Sequence, residues 1–91
     1  MIAARRPEER EVYQELLAVN PKALVAKGLS EAYIGHSSGV RPVAVYDYEA
    51  CVEIVMANKG LSHEQAVDYL SEHTVPELVG RDLPIFVITT N

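Results

Sequence analysis

The stretch that decides the fold is DYEACVEIVMANKGLSHEQAVDYLSEH, residues 47–73. Asp47 has the chemistry of an N-cap, because its carboxylate can accept from an orphan N–H of the first helical turn. Tyr48, Cys51, Val52, Val55 and Met56 follow at i, i+3, i+4, i+7 and i+8, which places them on one helical face. Ile54 lies off that face and widens the apolar coverage. Gly60 closes the helix, with Lys59 at the negative end of its dipole. A second start signal follows at once. Ser62 and Gln65 have the S-x-x-Q spacing of a capping box, and Leu61 and Ala66 occupy the two positions of a hydrophobic staple. Ala66, Val67, Tyr69 and Leu70 supply a buried side, and Pro76 limits the helix to about His73 or Thr74. The stretch therefore predicts two amphipathic helices joined at Gly60.

On the N-terminal side, two β-prone runs precede this pair, at 32–34 and 43–46. Between them lies Gly35-His36-Ser37-Ser38-Gly39, so an antiparallel hairpin is expected. Pro42 lacks an N–H and belongs at a strand start or a free edge. Further back, residues 7–19 read as a helix. Pro7 suits its first position, Glu8 and Glu9 complement the dipole, and Val12, Tyr13, Leu16 and Leu17 form its apolar stripe. Asn20-Pro21 restarts the pattern, which predicts a short helix over 23–26 ended by Gly28. Beyond the helix pair, residues 76–79 suggest one more turn. The continuous apolar run Ile85-Phe86-Val87-Ile88 then predicts a strand needing cover on both faces, placed centrally with helices or a partner subunit over it. The expected architecture is a single α+β domain over 1–91. Its order is α-α-β-β-α-α-β, with a three-stranded sheet and helices packed on it.

Composition bounds what such a domain does. The chain has 91 residues, 48% hydrophobic and 23% charged, an ordinary globular balance. A lone cysteine and the absence of a signal-like start point to a reducing, cytoplasmic setting. No apolar run approaches the roughly 20 residues that span a bilayer. The net charge is −5, and Arg5, Arg6 and Arg10 interleave with Glu8, Glu9 and Glu11. Direct nucleic-acid binding, which draws on counterion release by clustered cations, is disfavoured. The acidity suits a partner with a basic surface, with a solvated face as the commoner alternative.

Catalytic patterns are weak. Residues 35–39 match G-x-S-x-G, the nucleophile elbow of α/β-hydrolases, but that motif needs a strand-to-helix turn on a large sheet. Here it joins two strands. His36, His63, His73 and Cys51 contain no pair at structural-zinc spacing, and Glu49 and Glu53 read as a solvated helix face. The expectation is a non-enzyme with no cofactor and no metal. The 35–39 loop has a better reading as an anion-binding nest. There His36, Ser37, Ser38 and Arg41 would bind an anionic small ligand or a signalling nucleotide. Tyr33, Tyr46 and Tyr48 are the expected interface residues, because tyrosine supplies rigid amphipathic area. The alternative is that these rings close the rim of a small core. Sheet edges and small size favour a homo-oligomer.

Three segments carry a family resemblance: Tyr46-Asp47-Tyr48-x-x-Cys51-x-Glu53-Ile54, Gly60-Leu61-Ser62-His63-Glu64-Gln65-Ala66, and Pro84-Ile85-Phe86-Val87. Over roughly 31–88 the chain resembles a group of small uncharacterised proteins of bacterial viruses and some prokaryotic genomes. His73 and Pro76 stand where that pattern has an asparagine and a glycine. The resemblance implies a small accessory protein, in a viral setting, that binds rather than catalyses. Small size, acidity, clustered tyrosines and the lack of a catalytic constellation lead to the expectation of an interaction protein that inhibits or modulates a host protein.

Overall fold

The computed structural model describes residues 11–74 and 82–89. The expected helix start at Pro7, the arginines Arg5, Arg6 and Arg10, and the turn expected over 76–79 lie outside them. The described elements run in the order α1 (Gln14–Val19), a 3-10 turn (Ser30–Ala32), β1 (Tyr33–His36), β2 (Ala44–Asp47), α2 (Tyr48–Lys59), α3 (His63–Tyr69) and β3 (Ile85–Val87). Helix α3 continues into a π-helical turn, Leu70–Thr74.

The helix pair forms where its signals stand. The Asp47 carboxylate accepts from the Glu49 N–H at the start of α2. Gly60 ends α2 in the left-handed conformation with φ of 66°, where a Cβ would be strained. Both halves of the capping box are present: the Ser62 hydroxyl accepts from the Gln65 N–H, and the Gln65 side chain accepts from the Ser62 N–H. Cys51, Val52 and Val55 are buried, as helical spacing requires, while Tyr48, Ile54 and Met56 are half-buried against the same core.

The short helix expected over 23–26 does not form there. Its N–H groups find other acceptors: Ala23 donates to the Asn20 carbonyl, Leu24 to the Asp82 carbonyl and Ala26 to the Tyr46 hydroxyl. Two of these partners are remote in sequence, so tertiary acceptors have taken donors that a local helix would use. The helical turn between α1 and the sheet is instead Ser30–Ala32.

Strands β1 and β2 form the expected antiparallel hairpin, and β3 lies parallel to β2, giving a mixed sheet of order β1-β2-β3. The sheet and its helices make an α+β fold. The expected central place of β3 is corrected: β2 is central and β3 is an edge. The hairpin turn commits one side of β2 to β1. The long α2–α3 crossover, which a parallel partner requires, brings β3 to the other side.

Alternation divides the sheet into two unlike faces. Ala44 and Tyr46 are fully buried. Tyr46 pairs with Phe86 and Tyr33 across the ladders, and its ring stacks on Phe86 at 5.4 Å between centroids. Tyr13 and Leu16 of the N-terminal segment, with the buried side of α2 and α3, join this face in one core. Val45, between Ala44 and Tyr46, points the other way and is paired with Ile85. On its other side the ladder slips between Tyr33 and Gly35, so that Ile34 and Gly35 together oppose Val45.

Candidate functional site

The hairpin loop is where sequence reading concentrated its chemistry, and the structure gives it a built framework. Beyond the last ladder pair, the Ser37 N–H donates to the Val43 carbonyl at 2.9 Å. The Val43 N–H returns to the Ser37 hydroxyl oxygen, also at 2.9 Å. Ser37 thus closes the loop neck with both its backbone and its side chain. The Ser37 hydroxyl accepts from a backbone N–H, and His36 bonds the Ser37 carbonyl rather than that hydroxyl, so the His36 ring is not placed as a base for it.

The other arm of the loop is held by charge. Arg41 places its Nη2 at 2.8 and 2.7 Å from the two carboxylate oxygens of Asp82. Asp82 is buried, and one of its oxygens also accepts from the Asn20 side-chain amide at 3.1 Å. That same amide donates to the Pro42 carbonyl at 2.8 Å, while the Asn20 side-chain oxygen accepts from the Lys22 N–H. Asn20 is itself buried. One small polar cluster therefore ties the end of α1, the hairpin loop and the approach to β3 together.

Between these two anchors the chain runs Ser38-Gly39-Val40. Val40 is 98% exposed, the most open of the large apolar residues among those described. Gly39 has φ of 117°, a conformation that L side chains rarely adopt, and it turns the chain into this tip. The site is a pinned loop presenting one bare aliphatic side chain.

The four residues expected to bind an anion are consequently split. His36 and Ser38 are exposed, whereas Ser37 and Arg41 are spent on the scaffold. An anion at this loop has to compete with the Asp82 carboxylate for the guanidinium. The expected interface tyrosines are also divided. Tyr33 and Tyr48 are half-buried. Tyr46 is fully buried and has no surface to offer a partner; its hydroxyl bonds the Tyr13 hydroxyl at 2.7 Å and accepts from the Ala26 N–H at 2.8 Å. Burial raises the Tyr46 pKa, and the side-chain bond from Tyr13 and the backbone bond from Ala26 only partly oppose it. For this ring the core reading describes its place.

The remaining reactive groups do not converge. Cys51 is buried and free, and burial, assisted by the Asp47 charge, pushes its thiol up to about 11. At neutral pH such a thiol is held in its neutral form. Among the described residues no group of three His, Cys, Asp or Glu side chains is placed to hold a metal ion. His63 meets Glu49 at 3.4 Å on the exposed side of the helix pair. A shallow groove of about 430 Å³ runs beside Glu11, Val12, Gln14, Glu15 and Ala18, all exposed along one stretch of chain, and among the described residues it gathers no groups from different elements. No described helix is long and apolar enough to cross a membrane.

Sequence reading missed Val40, Asn20 and Asp82 as parts of this site. Val40 had a legible signal, an aliphatic residue between Gly39 and Arg41 in an otherwise polar loop. Asn20 and Asp82 had none, since their contacts span 22 to 62 residues of sequence. Fold and site together define a small α+β domain with a braced surface loop. Set against protein-family models, curated proteins and solved structures, the chain finds no match.

Proposed function

We propose that this chain is a small non-enzymatic interaction protein that modulates another protein by covering part of its surface, with the 38–40 tip as its contact element. The observation that carries this reading is Val40: an aliphatic side chain 98% exposed on a loop braced at both ends. Exposing valine to water is unfavourable by roughly 1.5–3 kcal/mol relative to burying it, and a partner's apolar pocket recovers that. Bracing lowers the ordering cost on binding, which is the physical advantage of a preorganised contact. The acidic chain adds steering toward a basic partner surface. The family resemblance implies a viral accessory setting, in which the partner would be a host protein.

The rival reading, an anionic small ligand at residues 35–39, has His36, Ser38, backbone N–H groups and the half-exposed remainder of the Arg41 guanidinium as donors, with the Asp82 carboxylate competing for Arg41. Both readings meet the same experiment. The chain and its Val40→Asp variant are immobilised and exposed to host lysate, and retained proteins are identified by mass spectrometry. The wild type should retain a protein that the variant binds at least about 30-fold more weakly, the loss of a central contact of about 2 kcal/mol. Thermal unfolding of the two should coincide. Equal retention by both chains would overturn the proposal, and a small anion carried through purification in native mass spectrometry would favour its rival.

A further inference from the structure

Resting on the reading of the 38–40 tip as the contact element, we infer that the partner pocket taking Val40 carries a carboxylate at its rim, received by the unspent donors of the Arg41 guanidinium. Arg41 engages Asp82 through Nη2 alone, with both carboxylate oxygens on that one nitrogen at 2.8 and 2.7 Å. Among the described residues no other acceptor meets its side chain, which is 49% exposed. A guanidinium carries N–H donors on every nitrogen, so those of Nε and Nη1 remain for an acceptor from outside the chain.

Position makes that acceptor necessary. Consecutive Cα atoms lie about 3.8 Å apart, so a pocket that closes over Val40 also strips water from the exposed part of Arg41. A dehydrated guanidinium donor without an acceptor is costly, which disfavours a wholly apolar rim. A carboxylate answers it best. A bond charged on both sides is about twice as strong as a neutral one, and the planar guanidinium matches carboxylate geometry. The buried Asp82 carboxylate, which also accepts from the Asn20 amide, already orients the guanidinium, so less freedom is lost when a second anion arrives.

The chain's own acids leave the place open. It has thirteen acidic residues, yet none falls between Glu31 and Asp47, the stretch that holds the hairpin. Glu49, Glu53, Glu64 and Asp68 are exposed on the helix pair, where basic groups of a partner suit them. At the tip the complement is reversed: an aliphatic side chain beside a held cation fits an apolar pocket beside an anion.

NMR titrations of the wild-type chain, to about 300 mM at constant ionic strength, use isovalerate, isoamylamine and inorganic phosphate. Isovalerate joins a branched aliphatic body to a carboxylate, and isoamylamine carries an ammonium on the same body. Isovalerate should shift the Val40 methyls and the Arg41 Nε resonance together, and bind at least about threefold more tightly than the amine, the scale of an exposed ion pair. Silence at both reporters, or equal or tighter binding of the amine, overturns the inference. So does phosphate that binds more tightly than isovalerate with Val40 unmoved, the outcome the small-anion rival requires. Arg41→Gln should lose isovalerate, whereas Asp82→Asn, which removes the competing carboxylate and keeps the guanidinium, should retain it. Equal loss in both variants means that Arg41 only braces the loop, and overturns the inference too. The protein retained by the wild type and lost by Val40→Asp should bind Arg41→Gln at least about tenfold more weakly. Undiminished binding there overturns the carboxylate and leaves the Val40 contact standing. Retention indifferent to Val40 removes the contact element itself, and the carboxylate with it.

Discussion

Replacing Tyr46 by Phe removes one oxygen from the centre of the molecule, and the structure says what that oxygen does. It accepts from the Ala26 N–H at 2.8 Å and shares a hydrogen bond with the Tyr13 hydroxyl at 2.7 Å. Ala26 is 2% exposed, so its N–H loses its acceptor in a place that water does not readily reach. An unsatisfied buried donor costs about 1–3 kcal/mol, and the second lost bond adds about 1 kcal/mol. The ring keeps its stacking on Phe86 and its edge contact with Tyr33, so the expected loss for Tyr46→Phe is about 2–4 kcal/mol. Tyr13→Phe removes the shared bond and leaves Tyr46 holding Ala26, and loss of that bond costs about 1 kcal/mol. In a chain of this size each kcal/mol moves Tm by roughly 4–8 °C. Urea titrations of both single variants and the double variant complete a cycle, in which the double should cost less than the sum of the two singles by about the shared bond. If Tyr46→Phe costs under about 0.5 kcal/mol, or if Tyr13→Phe costs more than Tyr46→Phe, the hydroxyl does not organise the 20–29 segment and the reasoning fails.

Two further consequences concern pH and the loop clamp. The Cys51 thiol has its pKa raised from 9.0 to about 11 in the fold. Its stabilising contribution is thus fully present below pH 9 and lost as pH rises toward 11, about 2–3 kcal/mol in all. Burial raises Tyr46 above its ordinary value of 10.0 and adds loss of the same sign at higher pH. Urea midpoints between pH 8 and 11 should fall, and Cys51→Ala should flatten the lower part of that fall; an unchanged profile in the variant would remove Cys51 as its cause. Arg41→Ala takes two charge-assisted bonds from the buried Asp82 carboxylate. With Arg41 itself about half exposed, the cost should be about 1–2 kcal/mol. Amide exchange should speed up at Ser37 and Val43 more than along α2, and equal change at both would show that the clamp does not brace the loop.

How much of this was legible in the chain depends on the reach of each interaction. Asp47, Gly60 and the Ser62–Gln65 box act within three residues or through one residue's own backbone, and each is in place. The hairpin was legible because its two β-prone runs flank a short turn-rich segment. The 23–26 segment was misread because its helix signals were outbid by acceptors on Asp82 and Tyr46, which no local pattern contains. Arg41 was read as a donor to a bound phosphate or nucleotide, and its pairing with Asp82 was not legible, since Asp82 lies 41 residues away.

The sequence by itself determined the helix pair, its caps and its buried stripe, because capping and periodicity are properties of neighbours along the chain. Only the tertiary structure decided that β3 is an edge, that Tyr46 is core, and that the loop hangs between Ser37 and Asp82 with Val40 at its tip. Those are outcomes of which side of β2 the crossover reached and which distant groups then came within hydrogen-bonding distance. Periodicity shows that a face is apolar. What covers that face is settled by the remainder of the chain, or by another chain.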